Sequence, residues 1–527
     1  MDMDNEKATD SNTIQHEDAR RPDNDWKGGI RDAKQATEVE HQLTLLQGLR
    51  AYPKAVAWSV LFSGAIVMDG FDQAFIPSLF AEASFQKQFG FPYAGGYQIS
   101  ASWQTAFGNS SNFGTIIGIF LNGYLTERFG KKRTLLCSLI VLTGFVFIPF
   151  FAPSLPVLLV GELLIGICLG IFNTTAPAYA SEVCPLVLRA YLTSFINLSW
   201  VIGQLIAACV MLGVQGIDSS WGYKIPFAVQ WVWPVPLFIA MCFAPESPWW
   251  LMRRGRLQEA ERSLTRLSSS IDAKQRLAMM IHTDELEQNT ESGTSYWDCF
   301  KGVDRRRTEI VCMTWAIQMF SGLPMQGYNT YFFEQAGLPS SDSFDLSVGY
   351  YVIGAVGTIL AWFLMAYFGR RRIFLTGLGI LTCLLFIIGF ASLNSSNGAV
   401  WAQSVLLLLW VLVYDMTVGP LAFTIVSEVS STRLRSKALA LGRNAFQSSG
   451  IVFGVAVPYM LNPTEGNWKG KAGFFFGGTC FCSFLWAYFR LPELKDRTYE
   501  ELDILFEKRV SARKFRKYEI DAYHGVD

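Results

Sequence analysis

Long apolar stretches separated by short polar links repeat along the chain from residue 55 to residue 490. Twelve of them reach the roughly 20 residues that cover a bilayer core. They fall at 55–80, 107–126, 134–152, 156–176, 190–214, 226–244, 309–333, 347–368, 373–393, 401–426, 437–461 and 473–490. Only APSLP divides the third from the fourth, so that boundary is soft. The runs do not alternate with period two and are too long for barrel strands. Helices, which satisfy their own backbone groups in lipid, are the predicted element. The expected fold is an all-α membrane protein of twelve transmembrane helices.

The links add orientation. Lys and Arg cluster after the even-numbered runs, in GKKR (130–133), at Arg189, across 245–308, in GRRR (369–372) and at Arg433, Arg435 and Lys437. The other links are nearly bare of them. By the positive-inside rule both termini lie in the cytosol. The polar segment 245–308, with a helical start at RLQEAERSLTRL, divides the chain. The predicted parts are a tail (1–54), a six-helix half (55–244), the segment 245–308, a second half (309–490) and a tail (491–527) expected to be basic and plain.

The halves repeat each other. SEVCPLVLRA (181–190) returns as SEVSSTRLRS (427–436), and YLTERFGKKR (124–133) as FLMAYFGRRR (363–372). Paired repeats with a site between them are a transporter design. Glu182 and Arg189 are seven residues apart at a helix end, and Glu428 and Arg435 keep that spacing. These charges are expected to pair with the basic turns and latch the halves together.

Composition agrees and excludes alternatives. The chain is 51% hydrophobic and 17% charged, against about 25% charged in a soluble domain. Mean hydropathy is +0.25. A net charge of zero gives no field to attract nucleic acid. The four histidines lie in polar segments without metal-ligand spacing, so no metal is expected. The ten cysteines are scattered and suggest no disulfide framework. The first fifty residues lack the apolar core of a signal peptide. No catalytic constellation or cofactor motif is visible. NSS at 394–396, in an expected outer loop, makes Asn394 a candidate glycan acceptor.

These residues carry a likeness. The chain resembles the sugar-porter branch of the major facilitator superfamily over nearly its whole membrane region. The family turn looks like Gly123, Glu127, Arg128, Gly130, Lys131 and Lys132, and is echoed at Gly369 and Arg370. The segment after the sixth helix reads PESPWWL (245–251), and Gly70–Phe71–Asp72 stands in the first helix. VYDMTVGP (413–420), SEVSSTRLRSK (427–437), RNAF (443–446), GYNTYFFEQAGL (327–338) and YMLNPTEGNWKGKAGFF (459–475) look like fungal α-glucoside:proton symporters of the maltose permease type. The resemblance implies a major facilitator fold of two six-helix repeats. It also implies a plasma-membrane symporter, expected to act as a monomer, with a sugar and protons as partners. Several positions depart from the pattern, among them Pro324, near the family's Asn position, and Asp69, where Glu is usual. Met319 follows Gln318, Phe423 follows the Gly419–Pro420 pair where Trp is frequent, and the second basic turn lacks its acid, which implies a weaker second latch.

Two acids, Asp69 and Asp72, share a face of the first helix. A charge at the bilayer centre costs about 2.5–3.5 kcal/mol on insertion scales, so each is expected to face a cavity, meet a partner or hold a proton. The resemblance points to Asp69, Asp72, Glu162 and Arg443 as the coupling group, although the spans set Arg443 too near the inner helix end to meet Glu162. A structural alternative has Asp72 supporting a helix break at Gly70. Asp415, just before Gly419–Pro420, suits either support of a broken helix or function. A sugar needs groups that both donate and accept, beside aromatic rings. The candidates are Asn197, Gln204, Gln318, Gln326, Asn329, Asn444 and Gln447, with Trp200, Tyr328, Tyr331, Trp410 and Phe423. By the resemblance Gln318 and Asn197 match sugar-contacting positions, and Tyr328 and Tyr331 lie near an outer gate. A proton-independent hexose or polyol facilitator, a metabolite exporter and a sugar-sensing receptor share the scaffold and stay open at this point.

Overall fold

The computed structural model describes residues 45–93, 96–267, 273–281, 296–336, 338–394, 396–430, 434–495 and 499–518. Helix occupies every predicted run. The main helices are α1 (Pro53–Ser63), α2 (Ile66–Leu79), α3 (Ala101–Phe129), α4 (Lys131–Phe145), α5 (Leu155–Val183) and α6 (Leu186–Val214). There follow α7 (Trp221–Val229), α8 (Pro234–Cys242), α9 (Leu257–Leu267), α10 (Asp304–Phe320), α11 (Asn329–Ala336) and α12 (Ser340–Tyr367). The rest are α13 (Arg370–Ala391), α14 (Asn397–Met416), α15 (Val418–Val429), α16 (Arg435–Leu461), α17 (Ala472–Arg490) and α18 (Tyr499–Glu507).

Among the described residues, nine helical stretches are long and apolar enough to cross a membrane. The helices left out, α3, α10 with α11, and α16, are those that carry Asn, Gln and Ser inward. They are not short: α3 has 29 residues and α16 has 27. At 1.5 Å per residue each is over 30 Å long. Their low mean hydropathy comes from those polar residues, while Phe113, Ile117, Phe120 and Val452 remain exposed on their other faces.

Packing repeats as the sequence does. α2 packs on α6 as α10 packs on α16, and α3 on α5 as α12 on α14. The two groups meet where α3 lies against α16 and α6 against α12. The closest crossings are made by glycine. A Cβ at Gly70 would strike the Trp200 carbonyl, and one at Gly203 the Val67 carbonyl. Gly114 and Gly118 of α3 face Gly166 and Gly170 of α5 with equal closeness. Small residues at i and i+4 let helix backbones approach where lipid supplies no hydrophobic drive.

Three expectations are corrected here. No break occurs at Gly70, which lies inside α2. The first run tightens at Gly64–Ala65, where i→i+3 bonds replace the regular ladder. The fourth run's helix reaches Val183, beyond the expected 176, until Pro185 ends it. The C-terminal tail is not plain: α18 and a 3₁₀ turn (Ala512–Lys517) dock on the foot of α10, where the Phe506 ring lies 4.5 Å from the Arg307 guanidinium. A short hairpin unforeseen in the sequence pairs Phe91–Tyr93 with Gly96–Gln98.

Candidate functional site

The glycine crossings place the acids. Ser111 is one turn before Gly114, Glu162 one turn before Gly166, and Asp72 half a turn past Gly70. Their side chains converge. Ser111 Oγ donates to Asp72 Oδ2 at 3.0 Å and Gln230 Nε2 to Oδ1 at 3.4 Å. The Glu162 and Asp72 carboxyls are within hydrogen-bonding reach of each other. Both residues are buried, and both Glu162 oxygens lack a donor.

Asp69 lies a turn deeper and has different neighbours. Arg443 is the cation within electrostatic reach of it, beside Asn173, Trp200 and Gln73. Arg443 Nη2 donates to Asn173 Oδ1 at 2.9 Å, and the guanidinium lies 4.9 Å from the Trp315 ring and 4.7 Å from Phe446. The four predicted coupling residues therefore lie in two layers, Asp72 beside Glu162, and Asp69 within electrostatic range of Arg443. Arg443 does not approach Glu162, as the depth argument anticipated. It faces the other helix-one acid. Arg443→Gln is expected to lower stability by removing the positive charge that acts on buried Asp69. Adding Asp69→Asn is expected to recover most of that loss, measured as the unfolding temperature of the purified protein.

A cavity of about 110 Å³ opens beside Asp72, between the two groups of helices. Gln73, Ser111, Asn112, Trp200 and Gln204 line it from one side, and Met319, Pro324, Tyr328, Gly450 and Gly454 from the other. Ordinary ligand pockets hold roughly 300–1,000 Å³, so this conformation is constricted. At one end Gln98 donates to the Tyr331 hydroxyl at 2.8 Å and Phe80 stacks on Tyr328. Toward the other end Trp362 Nε1 donates to Ser194 Oγ at 2.9 Å.

The sugar candidates divide. Gln204 and Tyr328 line the cavity and Trp200 closes its floor. Gln318 is buried behind Met319; its Oε1 accepts from the Tyr414 hydroxyl at 2.9 Å and its Nε2 has no partner. Both amide atoms of Asn444 and of Gln447 are likewise shielded and unpaired. Phe423 packs edge-on against Trp315 at 4.8 Å, and Trp410 stacks on Tyr414. Two candidates face elsewhere. Asn329 Oδ1 accepts from Thr330 N and Ser347 Oγ, tying α11 to α12. Asn197 Nδ2 donates at 3.2 Å to both Thr358 Oγ1 and Asp415 Oδ1, joining the two groups of helices. Asp415 sits just before the α14–α15 break at Thr417, backed by Gly354 and Gly357. The Gln326 side chain lies outside the described residues.

The basic turns are built differently from expectation. Lys131 pairs with Glu182, which also accepts from Ser247 Oγ, and Arg370 Nη2 bonds Glu428 Oε1 at 3.1 Å. Each pair joins helices of one group, so these contacts brace the halves internally and do not latch them together. The turns enter α4 and α13, which neighbour α5 and α15 in the same group. The second brace is present although its turn lacks an acid. The Arg189 and Arg435 side chains lie outside the described residues. Glu127 is exposed, and its carbonyl takes bonds from Trp250 Nε1 (2.9 Å) and Arg254 Nη2 (2.7 Å). Arg128 bonds Tyr124 OH at 2.7 Å. Asn394 is exposed, with its Oδ1 accepting from Ser396 N.

Sequence reasoning missed what holds those turns. Glu246, within PESP, accepts from the N–H groups of Lys131 (3.0 Å) and Lys132 (3.2 Å), capping the positive end of α4. Burial raises the Glu246 carboxyl, while the N–H groups of Ser247, Lys132 and Lys131 oppose that shift. Glu493 takes the same place against Gly369. The signal was available: PES at 245–247 returns as PEL at 492–494, at nearly the offset of the other repeats.

Comparison with known proteins follows the same lines. The structure is similar to the proton:xylose symporter XylE bound to 6-bromo-6-deoxy-D-glucose, at a TM-score of 0.72 and 23% identity, covering 86% of this chain and 99% of that one. It matches the inward-open xylose transporter XylE from E. coli at 0.69 and 23%, over 86% and 99%. This likeness gives the fold, that of the major facilitators. A maltose permease of Saccharomyces cerevisiae is 39% identical over 505 residues, 94% of this chain and 82% of the relative. An alpha-glucosides permease of the same species is 39% identical over 545 residues, 99% and 90%. The family model described as "Sugar (and other) transporter" matches residues 57–506. With that match and these relatives, the chain belongs to the family of sugar transporters, as a multi-pass membrane protein of the major facilitator fold.

Proposed function

We propose that this protein is a proton-coupled symporter of an α-glucoside such as maltose, working by alternating access in the plasma membrane. The observation that carries the proton part is the Asp72–Glu162 pair: two buried carboxyls in reach of each other, with Arg443 directed to Asp69 instead. In this reading one proton between them removes the repulsion, and its loss or gain as the halves move couples the proton to the cycle. The relatives carry the substrate part, since their names specify maltose and alpha-glucosides.

In this reading all twelve helical runs cross the bilayer and both termini are cytosolic, as the Lys and Arg distribution requires. The constricted cavity is a closed stage of the cycle. Opening outward breaks Gln98–Tyr331 and the Phe80–Tyr328 stack; opening inward breaks Trp362–Ser194 and Asn197–Asp415. Gln204, Gln318, Asn444 and Gln447 hold donors and acceptors for sugar hydroxyls, with Trp200 and Tyr328 beside its C–H faces. Sugar and proton couple because each binds the states with different affinity.

The test is uptake of labelled mono- and disaccharides by cells expressing the protein, with external pH recorded. Addition of maltose is expected to bring uptake and alkalinisation together. Uptake without a pH change, and undiminished by a protonophore, would reduce the reading to facilitation. Absence of uptake for every α-glucoside would remove the substrate assignment.

A further inference from the structure

At the end of the bundle that carries the basic turns, the docked tail borders a second, open cavity of about 340 Å³. Arg306, Arg490 and Arg509 line it, with Ser511, and among the described residues no acidic one does. Glu309 offsets Arg490 through a two-pronged ion pair from outside the cavity. Arg306 lies between the Phe506 and Phe515 rings, 5.4 and 5.6 Å away, and its Nη1 donates to the Val510 carbonyl at 2.7 Å. Its Nε is shielded from solvent and has no partner among the described residues.

Arg509 carries the stronger clue. Arg509 N bonds Phe506 O at 3.0 Å and Val510 N bonds Leu505 O at 3.1 Å, the paired bonds that close a helix through a left-handed residue. That residue is ordinarily glycine, yet Arg509 holds it at φ +51°. A side chain there costs about 1 kcal/mol in backbone conformation. The fold accepts that cost at a residue that lines a cavity already bearing two arginines. Arginine forks match phosphate oxygens.

We propose that this cavity binds a phosphate group, carried either by an inositol phospholipid of the adjoining leaflet or by a soluble phosphate. Occupancy ties the tail to the foot of α10, the helix that holds Gln318.

The full-length protein, in detergent, is titrated with inorganic phosphate against matched chloride. It is also placed in phosphatidylcholine nanodiscs with and without a few mole per cent of phosphatidylinositol 4-phosphate, and the unfolding temperature is read throughout. The wild type is expected to be stabilised by at least one probe. A response to phosphate in detergent identifies a soluble ligand; a response confined to the lipid-containing disc identifies a headgroup. Arg509→Gly is expected to weaken phosphate binding about tenfold, or to abolish the lipid response. Glycine suits the turn better than arginine, so the unliganded unfolding temperature should hold or rise, which separates lost binding from lost folding. If neither probe stabilises the wild type, or if Arg509→Gly responds as the wild type does, the cavity is not a phosphate site.

Discussion

Asp72→Asn is expected to abolish uphill accumulation of sugar while leaving surface expression and downhill exchange in place. Asn has the shape of Asp and keeps an oxygen for Ser111 Oγ, which donates to Asp72 at 3.0 Å. It can also still bond Glu162, so packing around α2, α3 and α5 is preserved and only the titrating group is lost. The size of the effect follows from the driving force. One charge moved through 100 mV is worth about 2.3 kcal/mol, a concentration ratio of about fifty. Accumulation should fall from that order to about one. The check is the steady ratio of internal to external labelled sugar, beside exchange between preloaded and external pools. If a variant neutral at both Asp69 and Asp72 still concentrates sugar as the parent does, proton coupling through these acids is wrong.

The second large effect concerns the two basic turns, which the repeat makes look equivalent. Gly130 has φ +88° and ψ 166°, a region open essentially to glycine alone, and a Cβ there would stand 2.6 Å from Glu246 Oε2. Gly369 has an ordinary φ of −72° and is crowded only by Glu493. Gly130→Ala should therefore lose about 1–3 kcal/mol to the backbone in addition to disturbing the Glu246 cap. Gly369→Ala suffers the clash alone. In the Glu493→Ala background the Gly369→Ala defect should largely disappear. Glu246→Ala should fail to rescue Gly130→Ala, because the backbone conformation stays forbidden. Unfolding temperatures of the four single and two double variants decide this. Equal rescue at both turns would show that crowding, not φ, fixes Gly130.

Much of this was legible beforehand because lipid makes the code simple. A bilayer allows few ways to bury a backbone, so apolar runs predicted the positions of helices to within a few residues at most ends. Acids inside those runs had to have a purpose, and the structure sets Asp72 beside Glu162 with Asp69 a turn deeper. What lay outside such reasoning was partner choice. Arg443 faced Asp69 and not Glu162, Asn197 reached Asp415 instead of the cavity, and Lys131 and Arg370 braced their own halves. In each case the deciding quantity was the distance between helices far apart in the chain. No run of apolar residues encodes that distance.

By itself, then, the sequence determined the helical class, the duplication, the expected orientation and the identity of the costly buried charges. These follow from local composition measured against a uniform solvent. Tertiary structure decided which acid meets which base, where Glu246 and Glu493 sit, and that the tail folds against Arg306 and Arg307. Those outcomes depend on the glycine-mediated crossings of α2 with α6 and α3 with α5. There, a shift of one helix turn would exchange every partner while leaving the hydrophobic pattern unchanged.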